Sequence, residues 1–297
     1  MINIFKLSTL NITISLAEEF SLSRKVGIDI GQSLTKFAFL EKDTLVLLIG
    51  KTKNNFSQIF ETIETLKSKF DQFNFTGGKA FKVFKKYENI YHCRLINEFE
   101  ANVKGIEFIY QNDRSKSLPP SLIITIGTGT SMVLKNDEIS HIGGSALGGG
   151  FFMGIAKVLY NIEDYQQAIN IAKKGNRYNV DLKVKDIYDS QDSRVDPLFM
   201  EFTASSLGKI DIDVNLNSIR KEDILNSLLC LIGENIGSLA SIQAKSNNLR
   251  TIVCCGGFLI NNNLLITILK MICRINRQEL ISLENSEFSG AIGALIY

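Results

Sequence analysis

Twice in this chain an apolar strand runs into a glycine turn and out again into a second apolar strand: V-G-I-D-I-G-Q-S-L-T-K-F-A-F-L from Val26, and S-L-I-I-T-I-G-T-G-T-S-M-V-L-K from Ser121. Charged turns follow both, E-K-D before T-L-V-L-L-I-G in the first case and K-N-D-E in the second. Such an element must bury a face against another layer, and two in the same order point to duplicated α/β halves facing one another. Aligned on Gly31 and Gly127, the two segments share order and spacing but few identities. The length of 297 residues suits a doubled unit, since a usual domain has ~150 residues. An apolar content of 45% is enough for two cores.

Between these anchors the spacing predicts alternating strands and helices. Phe56, Ile59, Phe60, Ile63, Leu66 and Phe70 recur at helical intervals, F-N-F-T-G-G reads as a strand, and a helix starts at N-E-F-E-A. The polar run N-D-R-S-K-S-L closed by Pro119-Pro120 marks the boundary between the halves. Beyond it come a glycine loop entering an apolar helix (G-G-S-A-L-G-G-G-F-F-M), helices around 164–174 and 222–244, and the buried strand T-I-V-C-C-G-G-F. A helix over L-L-I-T-I-L-K-M-I precedes F-S-G-A-I-G-A-L, whose small residues permit close helix packing.

Composition removes several classes of function. The 33 Lys+Arg against 31 Asp+Glu leave +2, without the basic excess of a nucleic-acid binder. Three prolines and no long polar tract argue against a disordered chain. No run reaches the ~18 apolar residues of a membrane span. Cys93, Cys230, Cys254, Cys255 and Cys273 are odd in number and lack CxxC spacing, which fits reduced thiols in a cytoplasm. His92 and His141 are too few for a histidine metal centre. The first 25 residues lack the continuous apolar core of a secretory signal and read as an extension without its own function.

Chemistry must then rest on carboxylates, hydroxyls, lysines and backbone amides. Four glycine clusters end strands: D-I-G-Q-S, G-T-G-T-S, G-G-S-A-L-G-G-G and C-C-G-G-F. Glycine lets amides converge on an anion, and Ser33, Thr35, Thr128, Thr130 and Ser131 add hydroxyls. Neither a Walker loop nor G-x-G-x-x-G is present, so a nucleotide would be held in another mode. Asp29, inside an apolar strand, needs a partner: a magnesium ion or the turn's own amides. Lys36 on the next strand either reaches a phosphate or is a surface lysine. Asn97 can cap a helix beginning with Glu98 and Glu100, and spacing alone favours that capping role over a general base.

These strings, in order, resemble the type II, eukaryotic-type pantothenate kinases of the acetate-and-sugar-kinase, Hsp70 and actin superfamily. The resemblance rests on D-I-G-Q-S-L-T-K (29–36), F-T-G-G-K-A (75–80), N-E-F-E-A (97–101), I-G-T-G-T-S (126–131), G-G-S-A-L-G-G-G-F (143–151), D-L-K-V-K-D-I-Y (181–188) and E-F-S-G-A-I-G-A-L (287–295). It implies an α/β fold of two duplicated ribonuclease-H-like domains, the actin-like ATPase fold, around a nucleotide cleft. The domains would be 26–118, completed by a C-terminal helix at 289–297, and 119–288, with 1–25 as the extension.

The resemblance further implies MgATP-dependent phosphorylation of the primary hydroxyl of pantothenate to 4′-phosphopantothenate, the first step towards coenzyme A. Asp29, Gly31, Gln32, Ser33, Leu34, Thr35 and Lys36 would form the first phosphate loop, with Asp29 holding magnesium through water. Thr128, Gly149, Gly150, Phe151, Phe152, Met153, Tyr165 and Gly256 match nucleotide-binding positions. Glu98 falls on the catalytic base, against the spacing-only preference, and Ser131 on a hydroxyl that contacts pantothenate. Family members are homodimers joined through helices of the second half.

Two positions depart from the family pattern D-x-G-G-T and its substrate-gripping arginine. Gln32 replaces the second glycine, with Ser33 for the threonine, and His141 stands before I-G-G in place of the arginine. A histidine offers at most two donors and is charged only in acid, about pH 6.5 and below. The expectation is that His141 binds the substrate carboxylate when protonated, or that another cation replaces it. A sugar kinase of the same superfamily and a catalytically impaired ATP-binding regulator are the alternative readings.

Overall fold

Alternate residues of the central strands face two different cores, and this parity arranges the whole molecule. In the computed structural model the residues described are 6–11, 22–42, 44–189, 194, 196, 200–212 and 215–297. The first sheet comprises β1 (Lys6–Asn11), β2 (Lys25–Ile30), β3 (Leu34–Glu41), β4 (Thr44–Lys51), β5 (Gln72–Thr76) and β6 (His92–Leu95). Helix α1 (Ser57–Leu66) lies between β4 and β5, α2 (Ala80–Tyr87) between β5 and β6, and α3 (Glu98–Arg114) follows. The second sheet begins with β7 (Ser121–Ile126), β8 (Thr130–Lys135) and β9 (Ile139–Ser145). A long insertion holds α4 (Gly149–Tyr160), α5 (Tyr165–Ala172), a ribbon of β10 (Leu182–Lys183) and β11 (Thr203–Ser205), α6 (Gly208–Ile212) and α7 (Lys221–Ser246). Then come β12 (Thr251–Cys255), α8 (Asn263–Ile275), β13 (Glu279–Ser282) and α9 (Ser289–Ile296).

The strand orders are β1-β4-β3-β2-β5-β6 and β13-β12-β7-β8-β9. In each sheet an antiparallel meander (β2-β3-β4, β7-β8-β9) is extended by two parallel strands on the side of its first strand (β5-β6, β12-β13). The duplication expected from the two glycine hairpins is thus present in the topology. The first sheet carries one extra strand: β1, from the N-terminal stretch, pairs antiparallel with β4 along its whole length. Residues 1–5 and 12–21 of that stretch lie outside the described residues.

Three cores bind five layers together, the middle one enclosing a helical layer between the sheets. Val26, Ile28, Ile30, Phe37, Phe39, Phe73 and Phe75 face α1 and α2. Ala38, Leu40, Leu45 and Leu47 face inward, towards Ile123, Val133, Val253 and Cys255 of the second sheet, with α3 and α9 between them. Leu122, Ile124, Ile126, Met132 and Leu134 turn outward to α4, α5, α7 and α8. By the same alternation Asp29, Lys36, Thr125 and Ser131 all lie on inward faces. Helix α1 stops at Leu66, one turn short of the span predicted from periodicity, and Phe70 is buried beyond the turn against Phe39.

The small residues of α9 pack as their composition predicts. A Cβ at Gly27 would lie 2.0 Å from the Ala291 carbonyl oxygen, one at Gly105 1.9 Å from that of Ser289, and one at Gly293 1.7 Å from that of Ala101. Backbone meets backbone at all three places, so no side chain fits. In the insertion, Asp181 of D-L-K-V is fully buried and accepts from Arg177 Nε (2.6 Å), Ser227 Oγ (2.5 Å) and the Leu207 N–H (2.8 Å). Arg177 also reaches both oxygens of Glu234. Among the described residues α7 alone is long and apolar enough to cross a membrane, but 72% of its most apolar window is buried inside the protein, as in a core helix.

Candidate active site

The two glycine turns meet. Ser33 Oγ and Thr128 Oγ1, from corresponding turns of the two sheets, share a hydrogen bond of 2.8 Å. The first turn is closed by Gly31 N–H to the Leu34 carbonyl (3.0 Å) and braced by Thr52, whose hydroxyl donates to the Gly31 carbonyl and contacts Thr35 Oγ1. Thr52 was not among the sequence candidates; nothing in K-T-K-N-N distinguishes it. The second turn is held by Gly127 N–H to Gly129 and by Thr130 Oγ1 to the Leu147 carbonyl.

Directly beside the first turn, Asp29 and Lys36 are register partners on β2 and β3. Lys36 Nζ donates to Asp29 Oδ2 at 2.7 Å, and both side chains are 11% exposed. The carboxylate is clamped between two glycines. A Cβ at Gly77, whose φ is +95°, would come within 2.5 Å of Asp29 Oδ1, and one at Gly290 within 3.0 Å of Oδ2. Gly77 and Gly290 thus belong to the site, and the strings T-G-G and F-S-G-A were their only trace in the sequence.

Glu98 opens α3, whose start is capped as predicted: Asn97 Oδ1 accepts the N–H groups of Phe99 (2.9 Å) and Glu100 (3.4 Å). Desolvation raises the Glu98 carboxyl above its ordinary value, and the neighbouring Asp29 charge raises it further; Lys36 and the Gly78 N–H oppose the shift. Although Glu98 as a whole is exposed, its carboxyl is desolvated and feels the charges of both Asp29 and Lys36. Glu100 faces elsewhere and accepts from the Tyr297 hydroxyl at 2.9 Å. It borders a cavity of about 350 Å³ lined also by Arg94, Ile96 and Asn97, outside the loop pair.

Ser131 lies on β8 opposite Gly144. His141, on β9 across a bulge at Ile142, stacks on Phe99 with ring centroids 4.0 Å apart and planes 12° apart. Phe99, adjacent to Glu98, was not singled out from the sequence. The ring stack holds His141 against the residue that follows Glu98. Gln32 is in the first turn itself.

The remaining candidates gather around Phe258. Gly149 packs against its ring, where a Cβ would lie 2.9 Å away, and Phe152 and Tyr165 stand 5.7 and 6.1 Å from it. The Tyr165 hydroxyl donates to the carbonyls of Phe258 (2.8 Å) and Ile260 (3.0 Å), and burial pushes its acidity down. Gly256 has φ +110°, and a Cβ there would lie 2.5 Å from the Ile126 carbonyl oxygen, so the β12 turn passes that backbone only as glycine. The amides of Gly149 and Gly150 are bonded to the carbonyls of Gly127 and Thr128, so they hold the second turn. Phe151 is partly exposed and Met153 half-buried beside them. The candidates therefore form two groups: charged and hydroxyl-bearing residues at the turns, and an aromatic wall behind the second turn.

Solved structures share this architecture. A ROK family glucokinase from Streptomyces griseus, crystallised with glucose and AMPPNP, matches over 91% of this chain and 97% of its own with TM-score 0.55 and 12% identity. A ROK hexokinase from Thermus thermophilus matches over 91% and 96% with TM-score 0.52 and 11% identity. At such identities the likeness defines the class of fold, the actin-like ATPase fold of two duplicated α/β units.

Sequence similarity narrows this. Residues 48–297 match the family model described as Fumble. The type II pantothenate kinase of Bacillus anthracis is 34% identical over 274 residues, covering 92% of this chain and 96% of that protein. That of Oceanobacillus iheyensis is 32% identical over 273 residues, covering 92% and 99%. The chain belongs to the Fumble family of type II pantothenate kinases.

Proposed function

We propose that this protein is a pantothenate kinase that transfers the terminal phosphoryl group of ATP to the primary hydroxyl of pantothenate, giving 4′-phosphopantothenate and ADP. The observation that carries it is the meeting of Ser33 and Thr128 within reach of an Asp29–Lys36 pair whose field extends to Glu98. That arrangement supplies what phosphoryl transfer needs: donors for phosphate oxygens, a hard anionic ligand, a cation and a nearby base.

Each residue then has a role. Glu98, raised by burial and by Asp29, takes the proton of the acceptor hydroxyl as that oxygen bonds to phosphorus and the bond to ADP breaks. The hydroxyls of Ser33 and Thr128 separate and turn to phosphate oxygens, and Lys36 balances their charge. The site's donors are hard oxygens, which fit magnesium held by one carboxylate and retained waters; Asp29 is that carboxylate. When bound, the ion neutralises charge on the phosphate oxygens. The wall of Gly149, Gly150, Phe151, Phe152, Met153, Tyr165 and Gly256 lies on the nucleoside side, and Ser131 and His141 on the pantothenate side.

We read two lobes, 26–118 with 289–297 and 119–288, the first enlarged by β1. We also read a homodimer, supported by the exposed apolar residues Val158 and Leu159 on α4 and Ile242 on α7. The test of function is ADP release with MgATP and pantothenate beside glucose and N-acetylglucosamine. Release with pantothenate alone is expected. Release with a sugar alone would replace this reading by a sugar kinase, and nucleotide binding without turnover by a regulator.

A further inference from the structure

We infer that Lys36 is a resident counter-ion that keeps bare divalent cations off Asp29 and Glu98, so that the site admits a metal only together with a nucleotide. This rests on Asp29 being the metal-holding carboxylate of the kinase reading. Asp29 has little freedom, because its short side chain lies against the backbone at Gly77 and Gly290, where an added Cβ would come within 2.5 and 3.0 Å of the carboxylate oxygens. Lys36 ends a flexible four-carbon stem, and its ammonium lies 2.7 Å from Asp29 Oδ2.

A hexahydrated dication loses water reluctantly and would have to approach the same carboxylate at about 2.0–2.1 Å for direct contact. An ammonium already on one oxygen repels it in a site with little water. The three charged groups that face one another here are Asp29, Lys36 and Glu98, whose mutual influence is seen in the Glu98 shift. With Lys36 in place they sum to one negative charge; without it, two carboxylates stand close together with no cation between them. That is a site a divalent ion would fill unaided.

An incoming nucleotide changes the balance. Its phosphates carry the negative charge that lets Lys36 and a dication occupy one site, and they offer Lys36 Nζ new acceptors. Lys36 therefore selects the metal–nucleotide complex over the free metal.

The experiment titrates Mn²⁺, followed by its electron paramagnetic resonance signal, into the full-length protein without nucleotide, with thermal melts alongside. The wild type is expected to show no tight site. Lys36→Met is expected to gain one site bound at least about tenfold more tightly, and its melting temperature is expected to rise with Mn²⁺. Lys36→Arg should behave as the wild type, and the gained site should vanish in Asp29→Asn/Lys36→Met. If Lys36→Met does not fold, Lys36→Gln, whose neutral amide still donates to Asp29, is read in the same way. The inference is overturned if the wild type binds bare Mn²⁺ as tightly as the neutral variant, or if the gained site survives loss of the Asp29 charge. Pantothenate-dependent ADP release by the wild type is read separately. Its absence overturns the kinase reading, whereas normal release with a null titration overturns only the role given to Lys36.

Discussion

The two glycine turns occupy the same place in the same strand order, yet they carry different chemistry. In the first sheet the register pair beside the turn is Asp29 with Lys36; in the second it is Thr125 with Ser131. The second turn is also shorter, with Ile126 facing Thr130 across it, against Ile30 facing Thr35. One copy thus concentrates charge on its inward face, and the other presents hydroxyls only. Duplication gave the architecture two equivalent positions, and side-chain choice divided the labour: ion and charge on one side, neutral donors on the other. Two charged turns at this distance would have forced four ionised groups into the inter-sheet space, each paying desolvation.

The largest expected effect falls on the charged side. Glu98→Gln should lower kcat by about 10²–10⁴ with nucleotide affinity kept, as measured by steady-state kinetics and calorimetry. Its pH behaviour is a second check. Because the folded state holds the Glu98 proton more tightly than the unfolded chain does, ionised Glu98 costs stability, and the cost is relieved as pH falls through the raised value. Glu98→Gln should therefore melt above the wild type at pH 7, with the gap closing in acid. Wild-type kcat should fall on acidification earlier than an ordinary carboxylate would dictate.

Next comes the direct comparison of register pairs. Asp29→Asn leaves Lys36 buried without its anion and should cost about 3–5 kcal/mol, whereas Thr125→Val, at the corresponding position, removes a contact to Cys255 Sγ and should cost about 1 kcal/mol. Chemical denaturation reads both, and equal losses would break the distinction drawn between the two turns. Smaller again is the bridge itself. Ser33→Ala and Thr128→Val each delete the same hydrogen bond, so a double-mutant cycle should show coupling of about 0.5–1.5 kcal/mol. At the acceptor end, His141→Arg should lower KM for pantothenate with kcat little changed, and an unchanged KM in steady-state kinetics would remove His141 from the acceptor side.

Much of this is legible in the sequence. The glycine hairpins, the capping of α3 by Asn97 and the close packing of α9 follow from alternation, cap chemistry and residue size, all of which act over a few neighbours. The elements that escaped are those whose signal is weak or non-local. Strand β6 is only H-C-R-L, largely exposed, and exists because it pairs in parallel with β5. Helix α2 is short and rich in lysine, with only Ala80, Val83 and Tyr87 buried. At the site, Asp29 and Glu98 were visible as residues, but spacing alone favoured a capping role for Glu98. What raises its carboxyl is burial and then the charge of Asp29, and nothing in the chain between them reports that they meet. Thr52, Phe99 and Gly290 were missed for the same reason: each acts through a partner far away in sequence.

The seam formed by α9 carries a consequence for how the molecule is made. The inner face of the first sheet is left with glycine-lined gaps at Gly27 and a buried Asn74 whose amide donates at 2.7 Å to the Ala294 carbonyl, 220 residues downstream. During synthesis at about 5–20 residues per second, that face must wait on the order of ten seconds or more for the helix that fills it. Contacts so distant along the chain also slow the folding search itself. The first half is therefore the part that emerges earliest and matures last, and it is where a nascent chain would most need a chaperone.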